Sequence, residues 1–462
     1  MRILAGLRRP DLPLILIVLA VGAALALFAG DSSPQAQRTG DGATAQPDIA
    51  GEPGAEFLAD PSPALTRCLL GDEVPGGGAG LPTDPAELVD KASAQVERLR
   101  ELRYSHPVDA RFLSPAELQD RIAELLKDEL PPKAVAREQA VLEELGAIPS
   151  GADLMALEGD ALGSQVIGLY NPDTKELLVQ RSGDAGSDEA ITLAHELEHA
   201  LADQALDLNE PKGLGTADGA LARIAVIEGD ATLTMTRYAI AELDVNELGS
   251  LGSESVPGAE RAYDRLPDYL QRELLFPYFE GLRLNCYEWL TGGGWKAVDR
   301  LYENPPGSTY EVMFPVAYGK RKPAKPHPGK PGTGWKPVEQ RDLGAAELSW
   351  LFAAPGGDPE AALPDPRRLV TGWRGGEVAV WQRDGERALG IALVATPGSG
   401  LCGAMSAWYA AAFPSDQQPV GAGADVVEFT NSEQAAVLAC HGSDVRMGVA
   451  PDRSTAARIA SL

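Results

Sequence analysis

Residues 195 to 199 read His-Glu-Leu-Glu-His, inside a segment, Ser187 to Leu206, whose pattern is helical. Histidines four apart on a helix lie one above the other, with Cβ atoms roughly 5–6 Å apart. Two imidazoles at that spacing can grip one metal ion, and the intervening Glu196 points toward the same cavity. The chain has only five histidines: His106, His195, His199, His327 and His441. The chemistry such a pair suits is that of one Zn2+ ion, held by three protein groups with a fourth position left for water.

The stripe that carries the two histidines, Ile191, His195, His199, Ala202 and Leu206, is otherwise apolar, so both imidazoles should face the interior. Either histidine alone would read as a hydrogen-bonded core residue; two at i and i+4 with Glu196 between them read as ligands. The third ligand should be a carboxylate or histidine on a nearby element. His106, His327 and His441 stand next to Pro, between prolines or beside Cys, far from the motif. Glu228 is the better choice, because it ends the apolar run Leu221-Ala222-Arg223-Ile224-Ala225-Val226-Ile227. A carboxylate there is expensive to bury unless it binds a cation.

Glu196 projects roughly 100° around the helix from His195, which rules against a fourth ligand. Its expected role is general base, taking a proton from an activated water and passing it to a leaving amine. Asp203 stands one turn after His199, where it either accepts from that imidazole's other nitrogen or is an exposed helix residue. Asp230 faces away from Glu228 and is expected to orient a loop or an Arg rather than the metal.

The elements that must position these groups are also legible. The runs Gln165 to Tyr170 and Glu176 to Gln180 look like strands joined by the turn Asn171-Pro172-Asp173-Thr174. An edge strand there, Leu177, Leu178, Val179 and Gln180, could pair with an extended peptide. Helical periodicity marks Pro85 to Arg103, Ser114 to Leu130 and Pro131 to Leu145 before the motif. After it come helices at Ala217 to Glu242, Ala259 to Leu266, Gln271 to Leu290 and Trp295 to Tyr302. Beyond Leu343 the pattern changes to a hairpin, Glu377 to Gln382 with Ala388 to Thr396, a helix at Ala404 to Phe413, a strand at Asp425 to Thr430 and a last helix, Asp452 to Leu462.

Over 462 residues the apolar fraction is 44%, and a net charge of -27 excludes nucleic acid, whose phosphates would be repelled. Leu12 to Ala29 carries no charge and, at 1.5 Å per residue, reaches roughly the thickness of a bilayer's hydrocarbon core. Arg2, Arg8 and Arg9 precede it. An uncleaved single-pass anchor with the bulk of the chain outside the cytoplasm is therefore expected, a cleaved signal peptide being the alternative. Asp31 to Pro85 is rich in Gly, Pro, Ala, Ser and Asp and reads as a tether. Among four cysteines, nearness in sequence pairs Cys402 with Cys440, leaving Cys68 with Cys286. A basic island, residues 320–336 with Lys320, Arg321, Lys322, Lys325, Lys330 and Lys336, is a solvated loop, a lid or a contact for an anionic cell-envelope polymer.

With these residues in view, the chain resembles zinc metallopeptidases of the gluzincin type. H-E-x-x-H on one helix with a later Glu on another looks like the thermolysin arrangement, and Glu228-Gly229-Asp230-Ala231 is similar to the E-G-x-A around the third ligand in several such families. A narrower resemblance, to poorly characterised bacterial H-E-x-x-H proteins, rests on Leu169-Tyr170-Asn171-Pro172, on His195 to Gln204, on Val226 to Ala231 and on Pro305-Pro306-Gly307-Ser308-Thr309. In those relatives the last stretch runs on to His-Pro, whereas Phe314-Pro315 stands here. The resemblance implies His195, His199 and Glu228 as zinc ligands and Glu196 as base. It leaves the oxyanion donor to Tyr310, Tyr318 or Tyr238.

The fold class this implies is α+β and mostly helical. Its plan is a cytoplasmic 1–11, an anchor 12–29, a linker 30–84, a zincin-like domain 85–342 with a small strand layer before the motif helix, and a smaller C-terminal α+β domain 343–462. The implied activity is peptide-bond hydrolysis on a peptide or protein. Its rivals are a non-catalytic zinc-binding protein that holds a peptide or partner, and a zinc-dependent hydrolase of cell-wall amides.

Overall fold

A computed structural model describes residues 15–16, 61–71, 80–129, 131–181, 186–209, 215–250, 263–414, 420–423, 426–431 and 434–461. Strand β1 (Ile15–Leu16) precedes helices α1 (Pro61–Leu70) and α2 (Pro85–Arg100), and β2 (Ala110–Leu113) leads to α3 (Pro115–Glu129), α4 (Pro132–Glu144) and α5 (Leu154–Gln165). The hairpin β3 (Gly168–Asn171) and β4 (Glu176–Gln180) is followed by α6 (Ser187–Leu206), α7 (Ala217–Glu242), α8 (Asp268–Gly292), α9 (Trp295–Glu303) and α10 (Thr309–Met313). Next come β5 (Lys336–Asp342), α11 (Ala345–Ala353), the hairpin β6 (Trp373–Arg383) and β7 (Glu386–Ala395), and α12 (Leu401–Ala412). The chain closes with β8 (Val420–Gly423), β9 (Val426–Thr430), β10 (Ala435–His441), β11 (Asp444–Ala450) and α13 (Arg453–Ile459). The fold is thus mixed α+β, helix-rich, with two sheets of orders β1-β3-β4-β2 and β5-β6-β7-β11-β10-β9-β8.

Local chemistry explains the ends of the two central helices, which coincide with those read from sequence. The Glu189 carboxylate accepts from Gly186 N at 3.0 Å, closing the first turn of α6. Thr216 Oγ1 accepts from Gly219 N at 3.0 Å at the start of α7. Between β3 and β4, Asn171 Oδ1 accepts from Asp173 N at 2.8 Å and from Thr174 N at 3.2 Å, the Asx turn that the Asn-Pro-Asp-Thr run foretells.

The expected helical anchor is overturned. Ile15 and Leu16, inside the span Leu12 to Ala29, are extended and pair antiparallel with Tyr170 and Leu169. The rest of that span lies outside the described residues, and among those described no helix is long and apolar enough to cross a membrane. The membrane placement, and the location of the body drawn from it, fall with the anchor. An uninterrupted aliphatic run has no period by which helix and strand can be told apart.

The segment read as a tether contains a helix. Its residues 61–71 include α1, and Cys68 in that helix is bonded to Cys286 in α8 across 218 residues. Arg237 of α7 adds two hydrogen bonds to the Cys68 carbonyl, at 3.1 and 2.6 Å. The second disulfide joins Cys402 and Cys440. At the other end, β5 lies before the boundary expected after Asp342, yet it forms the edge of the seven-stranded sheet. Arg341 of this strand has its side chain enclosed, bonding Glu138 of α4 at 2.6 Å and Glu347 of α11 at 2.8 Å. The basic island is a strap with its lysines and arginine exposed, tied to β6 through Ala324 N bonded to Arg374 O at 2.7 Å and to α13 through Gly329 N bonded to Ile459 O at 2.8 Å.

A cross-link that closes so long a loop restricts the unfolded chain strongly. The double variant Cys68→Ser/Cys286→Ser should lose about 2–5 kcal/mol of stability, read as a lower midpoint in urea unfolding. An unchanged midpoint would mean that α1 is held by Arg237 and apolar packing alone.

Candidate metal centre

Helix α6 is buried through more than three turns, from Ala190 to Asp203, and carries both histidines into contact with α7. The imidazole rings meet edge to face with centroids 4.6 Å apart. Glu228 Oε2 lies 3.2 Å from His195 Nε2 and 3.6 Å from His199 Nε2. The three groups offer donor atoms within 4.8 Å of one another, and no other such cluster occurs among the described residues. In a tetrahedral site with bonds of 2.0–2.1 Å, neighbouring donor atoms stand roughly 3.3 Å apart, so both Glu228 separations fit zinc.

A glycine-to-glycine helix contact sets the height of Glu228. A Cβ on Gly229 would fall 2.1 Å from the Gly281 carbonyl carbon of α8, and one on Gly281 would fall 2.0 Å from Ala225 O. Asn285 closes the contact, with Nδ2 donating to Val226 O at 3.1 Å and to Gly281 O at 2.9 Å. Only glycine permits backbones this close.

Burial dominates the electrostatics. Relative exposure is 1% at His195, 0% at Glu196, 0% at His199 and 3% at Glu228. Burial pushes the His195 imidazole down to about 4, although the Glu228 carboxylate opposes it. Burial also works against the charge of Glu228, but His199 and His195 outweigh it and hold that carboxyl below its ordinary value. Glu196 is driven well above the usual carboxylate range by burial, and the neighbouring Glu228 adds to the rise. His199 Nε2, both Nδ1 atoms and both Glu196 oxygens have no hydrogen-bond partner. Buried polar atoms are rarely left so. His199 Nε2, unpartnered and 3.6 Å from Glu228 Oε2, is a donor that a cation shared with Glu228 and His195 would satisfy, so the residues fit one.

Glu196 lies against strand β3. A Cβ at Gly168 would come within 2.8 Å of Glu196 Oε1 and 2.6 Å of Thr192 Cγ2. The expected peptide-pairing edge at Leu177, Leu178 and Val179 is not an edge: β4 is paired on one side with β3 and on the other with β2. Its three apolar residues in a row are buried, as in a strand covered on both faces.

The other expected residues separate into those near the site and those away from it. Asp203 turns from His199 and binds Tyr170 Oη and Lys175 Nζ, each at 2.6 Å. Asp230 does hold an Arg: its Oδ2 accepts from Arg100 Nε at 2.9 Å and from Tyr302 Oη at 2.9 Å. Tyr310 Oη donates to Thr371 O and Tyr318 Oη to Asn304 O, both toward loops away from the histidines. Tyr238 is ten residues beyond Glu228 on the same helix, roughly 15 Å along its axis.

Sequence reasoning passed over Tyr278, Glu198 and Arg100. Tyr278 of α8 faces His195 with ring centroids 6.3 Å apart, and it follows Pro277, an interior helix proline. Glu198 stands inside the motif itself, and two carboxylates, Glu196 and Glu198, on different faces of a segment otherwise mostly apolar from Ala190 to Ala202 are the signal that could have flagged it. Arg100 gave no such signal, since an Arg in the last turn of an amphipathic helix usually reaches solvent.

Compared with protein-family models, curated proteins and solved structures, the chain matches none. A methyl group at Gly168 has no room, so Gly168→Ala should separate β3 from α6 at a cost of about 1–3 kcal/mol in chemical unfolding. A variant as stable as the parent would show that Glu196 and Thr192 can give way freely.

Proposed function

We propose that the chain is a zinc-dependent peptidase of the gluzincin type, with His195, His199 and Glu228 as ligands and Glu196 as general base. The observation that carries this reading is the convergence of His195 Nε2 and His199 Nε2 on Glu228 Oε2, at 3.2 and 3.6 Å, within a buried helix crossing. Zinc held by such a set polarises a carbonyl and makes water more acidic, which is the chemistry needed to cleave an amide.

The protein's own share is to orient and to move protons. Glu196, one residue from His195 and turned toward β3, takes the proton of the attacking water and delivers it to the nitrogen of the departing amine. Tyr278, the tyrosine whose ring neighbours His195, is assigned to the developing oxyanion in place of Tyr310, Tyr318 and Tyr238. The substrate class, a peptide or protein, follows from the resemblance of the motif.

Near-complete burial of all four groups favours a second reading, in which the same ligands hold zinc without turnover and the protein binds a peptide or partner. One pair of variants separates the two. His195→Ala should abolish zinc uptake in either case, measured as metal content of the purified protein. Glu196→Gln should keep the metal and lower kcat on an unstructured protein such as casein by about a hundredfold or more. If the parent protein loads zinc yet Glu196→Gln alters nothing measurable, the catalytic reading is wrong and the binding one stands. Tyr278→Phe should lower kcat by about 10²–10³ with little change in KM.

A further inference from the structure

Behind His199, on the side away from Glu228, lies a second group of buried charges that the ligand set does not use. Glu198 Oε2 is 3.7 Å from His199 Nδ1, which has no hydrogen-bond partner, and the Glu198 carboxyl also faces Asp230. Glu198 Oε1 is 3.9 Å from Arg100 Nε. Arg100, wholly enclosed, also reaches Asp230 at 2.9 Å and Asp299 at 2.6 Å, and its guanidinium lies 4.5 Å above the Trp295 ring. Tyr302 donates to Asp230 from the far side.

These contacts bring together α2, α6, α7 and α9 around one cation. Arg100 is delivered by α2, Glu198 by α6, Asp230 by α7, and Trp295, Asp299 and Tyr302 by α9. A guanidinium presents a planar fork of donors, so Asp230 and Asp299 fix its plane, and that plane fixes the side on which Glu198 can lie.

We infer that Glu198 accepts the Nδ1 proton of His199 and that Arg100, with Asp230 and Tyr302, holds it there as a positioning group of the metal centre. The inference rests on the zinc reading above and adds to it. A histidine that gives Nε2 to a metal carries its proton on Nδ1, and ligating histidines pass that proton to a fixed acceptor. Asp203, which sequence offered for this part, is occupied by Tyr170 and Lys175. Glu198 takes its place from within the motif, one residue from the ligand it serves.

The test uses the full chain, with zinc affinity measured against a competing chromophoric chelator. The visible spectrum of the cobalt-loaded protein and the unfolding midpoints with and without metal complete it. Glu198→Leu should weaken zinc binding about 10- to 100-fold and change the cobalt spectrum. Glu198→Gln, which keeps an acceptor oxygen, should fall between it and the parent. The metal-free midpoints of Glu198→Gln and the parent should agree, while the stabilisation gained on adding zinc shrinks. Tyr302→Phe removes only the donor to Asp230, keeps the ring, and should give a smaller loss of affinity in the same direction. Unchanged zinc affinity and cobalt spectrum in Glu198→Gln and Tyr302→Phe would overturn the inference while leaving the ligand set intact. A loss of affinity that only tracks the metal-free midpoint would also overturn it. A parent protein that takes up neither metal would overturn the zinc reading itself, and this inference with it.

Discussion

Helices α7 and α8 touch backbone to backbone where Gly229 meets Gly281, and the position of the carboxylate that reaches both histidines depends on that contact. Glu228 immediately precedes Gly229, so any separation of the helices would move Glu228 Oε2 relative to the imidazoles 3.2 and 3.6 Å away. The surroundings reinforce it. Asn285 bridges the two backbones, and Cys286, next in sequence, ties α8 to α1. Arg237 of α7 grips the Cys68 carbonyl at the same junction. Burying carboxylates and imidazoles is costly unless their partners are rigidly placed, and this part of the molecule supplies that rigidity.

How much was legible in advance follows from the reach of each physical rule. Caps act over three or four residues, and so the starts of α6 and α7 are set by Glu189 and Thr216, which lie beside them in the chain. Ligand spacing on one helix is equally local, and His195 with His199 needed nothing more. Glu228 was found because a carboxylate at the end of an apolar run demands a reason. Arg100 was not found, because its partners stand 130 and 199 residues away, and nothing near it in the chain distinguishes it from a solvated arginine. Tyr278 escaped on the same ground.

Two readings failed for a shared reason. An unbroken apolar run says that a segment is covered, without saying by what. In Leu177, Leu178 and Val179 it marks an inner strand that has no free edge to offer a peptide. Between Leu12 and Ala29 it looked like a helix of membrane length, whereas Ile15 and Leu16 are extended beside Tyr170 and Leu169. The domain plan met a related limit. The boundary expected near Leu343 falls just after β5, yet β5 pairs with β6 in the sheet that follows it.

The cap on α7 carries a consequence for biosynthesis. Ala217 N and Asp218 N donate to the carboxylate of Asp342, more than a hundred residues downstream, at 2.9 and 2.8 Å. Glu138 likewise waits for Arg341, 203 residues later. A ribosome therefore releases the helix bearing Glu228 well before the strand that completes its first turn. Nascent chains stalled short of residue 342 hold the motif and Thr216 but not the Asp342 carboxylate, so Ala217 N and Asp218 N gain these acceptors only once the edge of the C-terminal sheet has emerged.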